Sequence, residues 1–323
     1  MTTEPEAAAA ADALAPAGIA PDALAPDALA PDANRADASA SECVDAEAPD
    51  GTRYDELAES YVRHWAPVLR EAALGVLDQL APEIEAADGR ELRLLDVGAG
   101  TGMLSLAALR RWRNVRVTGI DPSAGMLEVA RRTAAEELAP EAAARFRTAV
   151  ASAEELPDDL GRFDAAMSSF VLQLVRNRTA ALRAVHRVLV PGAPFAWVSW
   201  LRTDRPFEPD RIANEVLDDF GFDPPEPGDG PDDFASVNAA AAVMRKAGFH
   251  DIRAWPAETT FAWDPEGYLG FLTEFDEASL FDDLDADERA DIEGRILDGL
   301  RGLTPDDLTL CLPVVYVTGR TPA

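Results

Sequence analysis

Short apolar strands and amphipathic helices alternate regularly between residues 92 and 200. The predicted strands are Leu92–Val97, Val115–Ile120, Phe146–Val150, Phe163–Ser169 and Pro194–Trp200. The predicted helices between them are Gly102–Trp112, Ser123–Glu137 and Arg178–Leu189. Neighbouring parallel strands need a crossover connection, usually a helix, and such sheets are covered by helices on both faces. The pattern therefore predicts an α/β fold with a parallel sheet.

The rhythm changes after Trp200. Predicted helices follow at 208–220, Ser236–Ala247 and 265–302, a Pro/Gly/Asp-rich loop at Gly221–Asp233, and strands at Asp251–Trp263 and Leu310–Gly319. The two late strands would complete a seven-stranded, mostly parallel sheet, and the extra helices would form cap or lid insertions. Pro313 is unfavourable in a central strand because proline cannot donate a ladder hydrogen bond.

Composition divides the chain into three regions. Residues 1–50 are rich in Ala, Pro and Asp, with a five-residue repeat at 20–33, and the regular prolines and scarce large apolar groups predict a disordered tail. Residues 51–200 are the predicted ligand-binding core. Its first segment, Tyr54–Leu80, carries apolar residues on one helical face, with Pro67 as a predicted kink. Residues 201–323 are predicted to complete the sheet and to form an acidic lid.

The formal net charge is −30, and the two flanks carry most of it. Residues 51–200 hold 20 acidic and 18 basic side chains, so the predicted core is nearly neutral. A protein that binds nucleic acid or an anionic membrane surface needs clustered Lys and Arg. The negative net charge therefore argues against both partners. The acidic run Glu274–Glu293 is either a solvated lid surface or an attractor of a cationic substrate.

The two cysteines, Cys43 and Cys311, predict neither a disulfide framework nor a metal site, because one of them lies in the tail. No apolar run has the length of a membrane span, and the N-terminus lacks the basic-then-apolar pattern of a signal peptide. We therefore expect a soluble cytoplasmic protein. No pattern in the sequence indicates an oligomeric state.

The first predicted strand ends in Asp96 and turns through Gly98, Gly100 and Gly102 into a helix. Glycine permits positive φ and close approach of a ligand to the backbone, and the start of a helix offers unpaired N–H groups. The dinucleotide fingerprint G-x-G-x-x-G places its third glycine one residue later. A carboxylate beside the turn would repel a pyrophosphate and would suit a cationic amino group. A nucleoside that carries an amino acid is therefore favoured over a dinucleotide.

The second predicted strand ends at Asp121, which can accept hydrogen bonds from both ribose hydroxyls of a nucleoside at the sheet edge. Ser123 is suited to cap the helix that follows. Met126 either covers an adenine ring or belongs to the core.

Five motifs in order resemble the class I S-adenosylmethionine-dependent methyltransferases, in particular the small-molecule branch related to the ubiquinone/menaquinone enzymes. They are DVGAGTG (Asp96–Gly102), IDPSAGML (Ile120–Leu127), ASAEELP (Ala151–Pro157), FDAAMSSFVLQLV (Phe163–Val175) and RVLVPGAPF (Arg187–Phe195). Tyr54, Asp55 and Tyr61 resemble the N-terminal helix that closes over the cofactor in that family. The resemblance covers residues 54–200 and implies a Rossmann-like fold, S-adenosylmethionine as cofactor and a small-molecule methyl acceptor.

The resemblance also implies roles for individual residues. The implied cofactor-binding residues are Tyr54, Asp96, Gly98, Ala99, Gly100, Gly102, Asp121, Met126, Ser152, Ala153, Glu154, Ser169 and Phe170. Ser152 stands where relatives often have an acid that bonds the adenine amino group, and Gln173 stands where they often have His. The expected substrate residues are Gln173, Trp200 and Arg202, because ligands bind at the carboxyl ends of strands in open α/β sheets.

Methyl transfer from a sulfonium is an in-line displacement, for which the protein mainly positions donor and acceptor and excludes water. A base helps only with a hydroxyl or an activated carbon. His64, on the helix expected to cover the cofactor, and Tyr61 are the two base candidates, and packing roles remain open for both.

The sequence disfavours two other classes of enzyme. The glycine spacing and Asp96 disfavour a Rossmann oxidoreductase, and the charge disfavours a nucleic-acid methyltransferase. A protein methyltransferase would need an open acceptor cleft. A non-methylating relative that binds the same cofactor, such as a cyclase, a decarboxylase or a binding protein, stays as the alternative.

Overall fold

The computed structural model describes residues 51–222 and 233–323. The predicted disordered tail at 1–50 and most of the predicted loop at 221–233 lie outside the described residues. The strands are β1 Leu92–Val97, β2 Val115–Asp121, β3 Phe146–Val150, β4 Ala165–Ser169, β5 Pro194–Trp200, β6 His250–Ala262 and β7 Thr309–Arg320. The helices are α1 Gly51–Ser60, α2 Ala66–Ala86, α3 Met103–Arg111, α4 Ala124–Glu137, α5 Pro140–Ala143, α6 Arg178–Val188, α7 Glu208–Asp219, α8 Val237–Lys246, α9 Pro265–Phe271, α10 Ala278–Asp283 and α11 Ala286–Arg301.

The seven strands form one sheet in the order β3-β2-β1-β4-β5-β7-β6. β1 to β5 are mutually parallel, and β7 runs antiparallel to both β5 and β6. The predicted seven-stranded, mostly parallel Rossmann-like sheet is therefore confirmed. The strand order reverses between β1 and β4, and such a switch point opens a crevice at the carboxyl ends of the strands.

Helices cover both faces of the sheet because the central strands are apolar on both sides. Leu94 packs with α2 and α3 on one face, whereas Leu95 packs with α6 and α8 on the other, as the two-residue period of a strand requires. Both side chains are fully buried.

Pro313 lies inside the sheet, in β7 between β5 and β6. Its carbonyl accepts a hydrogen bond from the Leu201 N–H at 2.9 Å, on the β5 side. The N–H and C=O of a strand residue point to the same side, so the missing N–H also faces β5, where that strand has just ended at Trp200. The proline costs no bond to β6, which explains why an interior strand tolerates it.

The chain enters the fold through one long helical segment formed by α1, a π-helical turn at Tyr61–Trp65 and α2. Pro67 occupies the second residue of α2, directly after the π turn. Proline cannot donate the usual helical hydrogen bond, and the π turn that precedes it shows that the regular α-helical hydrogen-bond pattern is interrupted near Pro67.

Residues 265–302 are not one helix but α9, a π turn at Leu272–Asp276, α10 and α11. Asp285 accepts hydrogen bonds from the backbone N–H groups of Asp287 and Glu288 and so starts α11. With α7, these helices bury a separate apolar cluster around Phe281, Ile292 and Ile296. Across residues 51–222 and 233–323, no helix has the length and apolar character needed to cross a membrane.

Candidate active site

A cavity of about 900 Å³ lies at the carboxyl ends of the parallel strands. Its floor is formed by the turns that follow β1 to β5, and its roof by the N-terminal helical segment. The lining residues are Tyr54, Tyr61, Trp65, Leu69, Gly98, Gly100, Asp121, Pro122, Met126, Ser152, Ala153, Glu154, Ser169, Phe170, Val171, Gln173, Leu174, Val175, Arg176, Asn177, Trp200 and Asp233.

The glycine turn after β1 forms the centre of the floor. Gly98 and Gly100 have φ values of 68° and 52°, a region that residues with a side chain rarely adopt. A Cβ atom on Gly98 would lie 2.1 Å from Cγ2 of Val171, so the turn packs directly against the loop after β4. A Cβ atom on Gly100 would have no neighbour within 4 Å, so the backbone there is open to a ligand.

Asp96 lies behind this turn and does not line the cavity. Its carboxylate is 1% exposed and accepts a hydrogen bond of 2.6 Å from Oγ of Ser105. Burial raises the pKa of Asp96 to about 7, and the Ser105 hydrogen bonds only partly oppose this. Contact between Asp96 and the amino group of a ligand stays a prediction.

The raised pKa of Asp96 predicts a stability change with pH. An aspartate in an unfolded chain has a pKa of about 4, so between pH 4 and 7 the folded protein binds more protons than the unfolded chain. The contribution of Asp96 to the free energy of unfolding therefore falls as the pH rises, by about 2 to 3 kcal/mol between pH 5 and 8. Asp96→Asn removes this dependence. In thermal unfolding, the melting temperature of the variant relative to that of the wild type should therefore rise towards pH 8. A difference in melting temperature between the two proteins that stays constant from pH 5 to 8 would contradict the raised pKa of Asp96.

Asp121 is held at the cavity floor by two backbone hydrogen bonds. Oδ2 accepts from the Gly100 N–H and Oδ1 from the Ser123 N–H, both at 2.9 Å. Burial raises the pKa of Asp121, while these two bonds oppose the shift. Each carboxylate oxygen has two acceptor positions, so both oxygens retain capacity for a pair of ligand hydroxyls.

The loop after β3 borders one end of the cavity. The Glu154 N–H donates to Oγ of Ser152 at 3.2 Å, and the Glu154 carboxylate accepts from the Asn177 N–H at 2.8 Å. The second bond joins the loops after β3 and β4. Met126 lines the same cavity and also packs against Ala58 in a small buried cluster, and its contact with an adenine ring stays a prediction.

The loop after β4 and the end of β5 form the opposite end. Phe170 has a φ of 55° and places its ring 4.2 Å from that of Trp200. A non-glycine residue with positive φ is strained, and such strain concentrates at functional sites. The buried Gln173 side chain donates to the Phe170 carbonyl at 2.7 Å and accepts from Oγ of Ser199 at 2.6 Å. Gln173 is therefore fixed in one orientation at the cavity wall.

The roof is aromatic. Trp65 stacks on Phe271 at 5.1 Å and on Phe275 at 6.4 Å, and Tyr61 meets Phe275 edge-on at 5.8 Å. Burial, with smaller effects from Tyr54 and Asp121, raises the pKa of Tyr61 far above its usual value. The Tyr61 phenol therefore stays protonated near neutral pH, which suits hydrogen-bond donation better than action as a base.

Several residues predicted from the sequence do not line the cavity: His64, Asp96, Ala99, Gly102 and Arg202. Nε2 of His64 lies 3.0 Å from Oε2 of Glu274, which also pairs with Arg63. Arg202 is exposed, and its backbone N–H donates to the Phe234 carbonyl at 2.9 Å. The other predicted residues all meet at the cavity.

Trp65, Leu69 and Val171 line the cavity but were not predicted from the sequence. The same holds for Pro122, Leu174, Val175, Arg176, Asn177 and Asp233. Trp65 and Leu69 continue the helical face of Tyr61 at four-residue intervals, a signal that could have placed them in the roof. Val171 lies inside the fourth motif, but its contact with the glycine turn depends on the tertiary fold.

Comparisons with known proteins converge on this region. Residues 94–192 match the family model of a methyltransferase domain. A malonyl-[acyl-carrier protein] O-methyltransferase of Halorhodospira halophila is 32% identical over 139 residues, which cover 43% of this chain and 41% of the relative. The ubiquinone/menaquinone biosynthesis C-methyltransferase UbiE of Geotalea daltonii is 37% identical over 101 residues, which cover 31% and 42% respectively. The alignments thus span about two fifths of these curated relatives.

Among solved structures, the YcgJ protein of Bacillus subtilis superimposes with a TM-score of 0.48 and 20% identity, covering 76% of this chain and 98% of that one. A putative methyltransferase from Bacillus halodurans gives a TM-score of 0.47 and 16% identity, with coverages of 76% and 100%.

The matched segment runs from β1 to the end of α6 and contains the glycine turn, Asp121 and Gln173. Over this segment the chain is similar to class I S-adenosylmethionine-dependent methyltransferase domains, including the ubiquinone/menaquinone C-methyltransferase UbiE. The cofactor of the class fits the site, because Asp121 retains acceptor positions for ribose hydroxyls and the backbone at Gly100 is open to the cavity.

Proposed function

We propose that this protein transfers a methyl group from S-adenosylmethionine to a small-molecule acceptor. The proposal rests on one observation: the same cavity of about 900 Å³ is lined by Asp121 and by Trp65 and Trp200. In the proposed arrangement, Ser152–Glu154 border the adenine, Asp121 holds the ribose, and the turn at Gly98 and Gly100 faces the methionine part. The acceptor then occupies the end formed by Phe170, Gln173 and Trp200.

The walls of the acceptor end favour an apolar acceptor that contains a ring. Trp65, Phe170 and Trp200 present ring surfaces, and aromatic rings bind other flat apolar groups and also attract cations. The net charge of −30 disfavours a nucleic acid, whose phosphates would be repelled. It equally disfavours an acceptor on a strongly acidic carrier protein.

The cofactor supplies a methyl group on a positively charged sulfur, which needs little chemical activation. The chain's own residues bind and orient the reactants and exclude water. The N-terminal helix covers the cavity with Tyr61 and Trp65, and Gln173 presents its fixed amide to the acceptor end. The protonated Tyr61 can donate a hydrogen bond to an acceptor oxygen or nitrogen.

The proposal is tested by calorimetric titration with S-adenosylmethionine and S-adenosylhomocysteine, followed by incubation with a panel of hydroxyl-, amino- and carboxyl-substituted aromatic compounds. We expect micromolar binding and, with at least one compound, release of S-adenosylhomocysteine matched by a methylated product in the mass spectrum. Binding of the cofactor with no S-adenosylhomocysteine formed in the presence of any panel compound would support a non-methylating relative instead. No binding of either nucleoside to the folded protein would overturn the proposal.

A further inference from the structure

The α1 helix lies against α4, the helix that follows Asp121 in the chain. Ala58 of α1 is 4% exposed and packs against Met126 and Val129 of α4. At the outer edge of the contact, Glu59 pairs with Arg132. Since Tyr54 and Tyr61 line the cavity from the same helical segment, this contact determines where the roof sits.

One side chain, Asp55, connects α1 to the first turn of α4. Oδ1 of Asp55 accepts hydrogen bonds of 2.6 Å from Oγ of Ser123 and from the Gly125 N–H. These two bonds lower the pKa of Asp55, so the group is ionised at neutral pH. A negative charge at the start of a helix also interacts favourably with the helix dipole.

The local sequence is adapted to this approach. A Cβ atom on Gly125 would lie 2.8 Å from Cα and 2.9 Å from the carbonyl oxygen of Asp55, so a larger residue would push α1 away. Oγ of Ser123 both donates to Asp55 and accepts from the Met126 N–H at 3.0 Å. The serine is thus a helix cap whose hydroxyl proton is oriented towards α1.

The same serine continues the chain of contacts to the cavity floor. Its backbone N–H donates to Oδ1 of Asp121 at 2.9 Å. Asp55 itself does not line the cavity. It therefore acts on the site through Ser123, whose two ends contact the roof helix and the Asp121 carboxylate.

We propose that Asp55 is a positioning residue, which couples closure of the N-terminal helix over the cavity to the orientation of the Asp121 carboxylate. The inference rests on the proposed function, because it assigns Asp121 to the nucleoside. Coupling of this kind is reciprocal: ligand bound at Asp121 stabilises the docked α1, and docked α1 raises the affinity for the ligand. When the docked state is only partly populated, the apparent affinity falls by the same fraction.

The experiment compares three variants of the full chain: Asp55→Ala, Asp55→Asn and Glu59→Ala. Asn retains an Oδ1 acceptor for Ser123 and Gly125, so it should rescue the contact. Glu59→Ala is the matched control, because Glu59 lies on the same helix and pairs with the same neighbour, α4, away from Ser123. The readouts are the dissociation constant for S-adenosylhomocysteine from calorimetry, and hydrogen exchange of the amides of residues 54–60 without ligand.

We expect Asp55→Ala to weaken S-adenosylhomocysteine binding roughly 10-fold, in line with the loss of hydrogen bonds to a charged group. Binding by Asp55→Asn should stay within about 3-fold of the wild type, and binding by Glu59→Ala within about 2-fold, as for exposed ion pairs. In the ligand-free protein, Asp55→Ala should speed exchange in α1. Asp55 is exposed, so this variant should fold, which circular dichroism checks.

Two results would overturn the inference: wild-type affinity and exchange in Asp55→Ala, or equal losses in Asp55→Ala and Glu59→Ala. The second would mean that any contact between α1 and α4 has the same effect. A wild-type protein that binds neither nucleoside would instead overturn the proposed function, and the exchange of α1 would still report on the Asp55 contact.

Discussion

Asp121→Ala should weaken binding of S-adenosylhomocysteine by at least about 100-fold, the largest of the effects expected on ligand affinity. The proposed ribose contact consists of two hydrogen bonds to a charged group, each contributing about 1.5 to 3 kcal/mol. The substitution also removes the acceptor for the N–H groups of Gly100 and Ser123, which are held at 2.9 Å in the wild type. The glycine turn and the start of α4 should therefore loosen together. Calorimetric titration gives the measurement.

Asp121→Asn separates these two effects. The amide oxygen still accepts from one of the two backbone N–H groups, but the charge is lost and the NH₂ group cannot accept from a hydroxyl. We expect its affinity for S-adenosylhomocysteine to lie between that of the wild type and that of Asp121→Ala. Asp78→Ala is a suitable control, because Asp78 pairs with Arg111 on the surface, away from the cavity. If Asp121→Ala retains wild-type affinity, the nucleoside does not bind at the end of β2.

The parallel half of the sheet was predictable because its strands are short apolar runs with clear boundaries. The predicted limits of β1, β3 and β5 match the structure residue for residue. Two of these strands follow residues that break regular structure, Asp88-Gly89 before β1 and Pro191-Gly192 before β5. Turn chemistry of this kind is local, so a single sequence is enough to reveal it.

The helices between residues 265 and 302 were less predictable because their breaks depend on packing. The segment 265–302 has a nearly continuous helical pattern, yet the π turn at Leu272–Asp276 and the break before Asp285 divide it. Both interruptions allow Phe275 and Phe281 to enter one apolar cluster with the N-terminal helix. Such a gain comes from residues far away in the sequence and outweighs local helix propensity.

Side-chain direction explains which site residues were placed at the cavity and which were not. Asp121, Ser152 and Ser169 follow parallel strands, whose carboxyl ends must meet at one edge of the sheet. His64 lies on the correct helix, but three residues after Tyr61 across a π turn, and its ring faces Glu274 instead. A π turn holds more residues per turn than the 3.6 of an α-helix, so Trp65, four residues after Tyr61, keeps the face of Tyr61, whereas His64, three residues after it, does not.

Contacts between separate motifs are a further level that the sequence does not display. Val171 of the fourth motif touches Gly98 of the first, and Glu154 of the third bonds the backbone of Asn177 after the fourth. The motifs therefore form one continuous floor, in which a change at one turn should be transmitted to the next. The glycines of the first motif provide the sharpest test of this view.

Gly98→Ala should lower the free energy of unfolding by about 2 to 5 kcal/mol. The left-handed backbone costs a residue with a side chain about 1 to 2 kcal/mol, and overpacking costs about 1 to 3 kcal/mol more. The overpacking arises because the new Cβ would lie 2.1 Å from Cγ2 of Val171. The double variant Gly98→Ala/Val171→Ala relieves the overlap but not the backbone strain, so denaturant unfolding should show that it regains part of the loss. If the loss of stability in the double variant equals the sum of the losses in the two single variants, this contact is contradicted.

Gly100→Ala separates strain from ligand contact, because its Cβ would meet no atom within 4 Å. Gly192→Ala is the matched control: Gly192 also has positive φ and an open Cβ position, but it lies at the amino end of β5, away from the cavity at the carboxyl ends of the strands. Both variants should lose about 1 to 2 kcal/mol of stability. Only Gly100→Ala should also weaken S-adenosylhomocysteine binding, by about 10-fold or more, since its methyl group enters the cavity where the ligand approaches the backbone. Equal stability with unequal affinity would assign the open space over Gly100 to the ligand, whereas equal affinity would place the ligand elsewhere in the cavity.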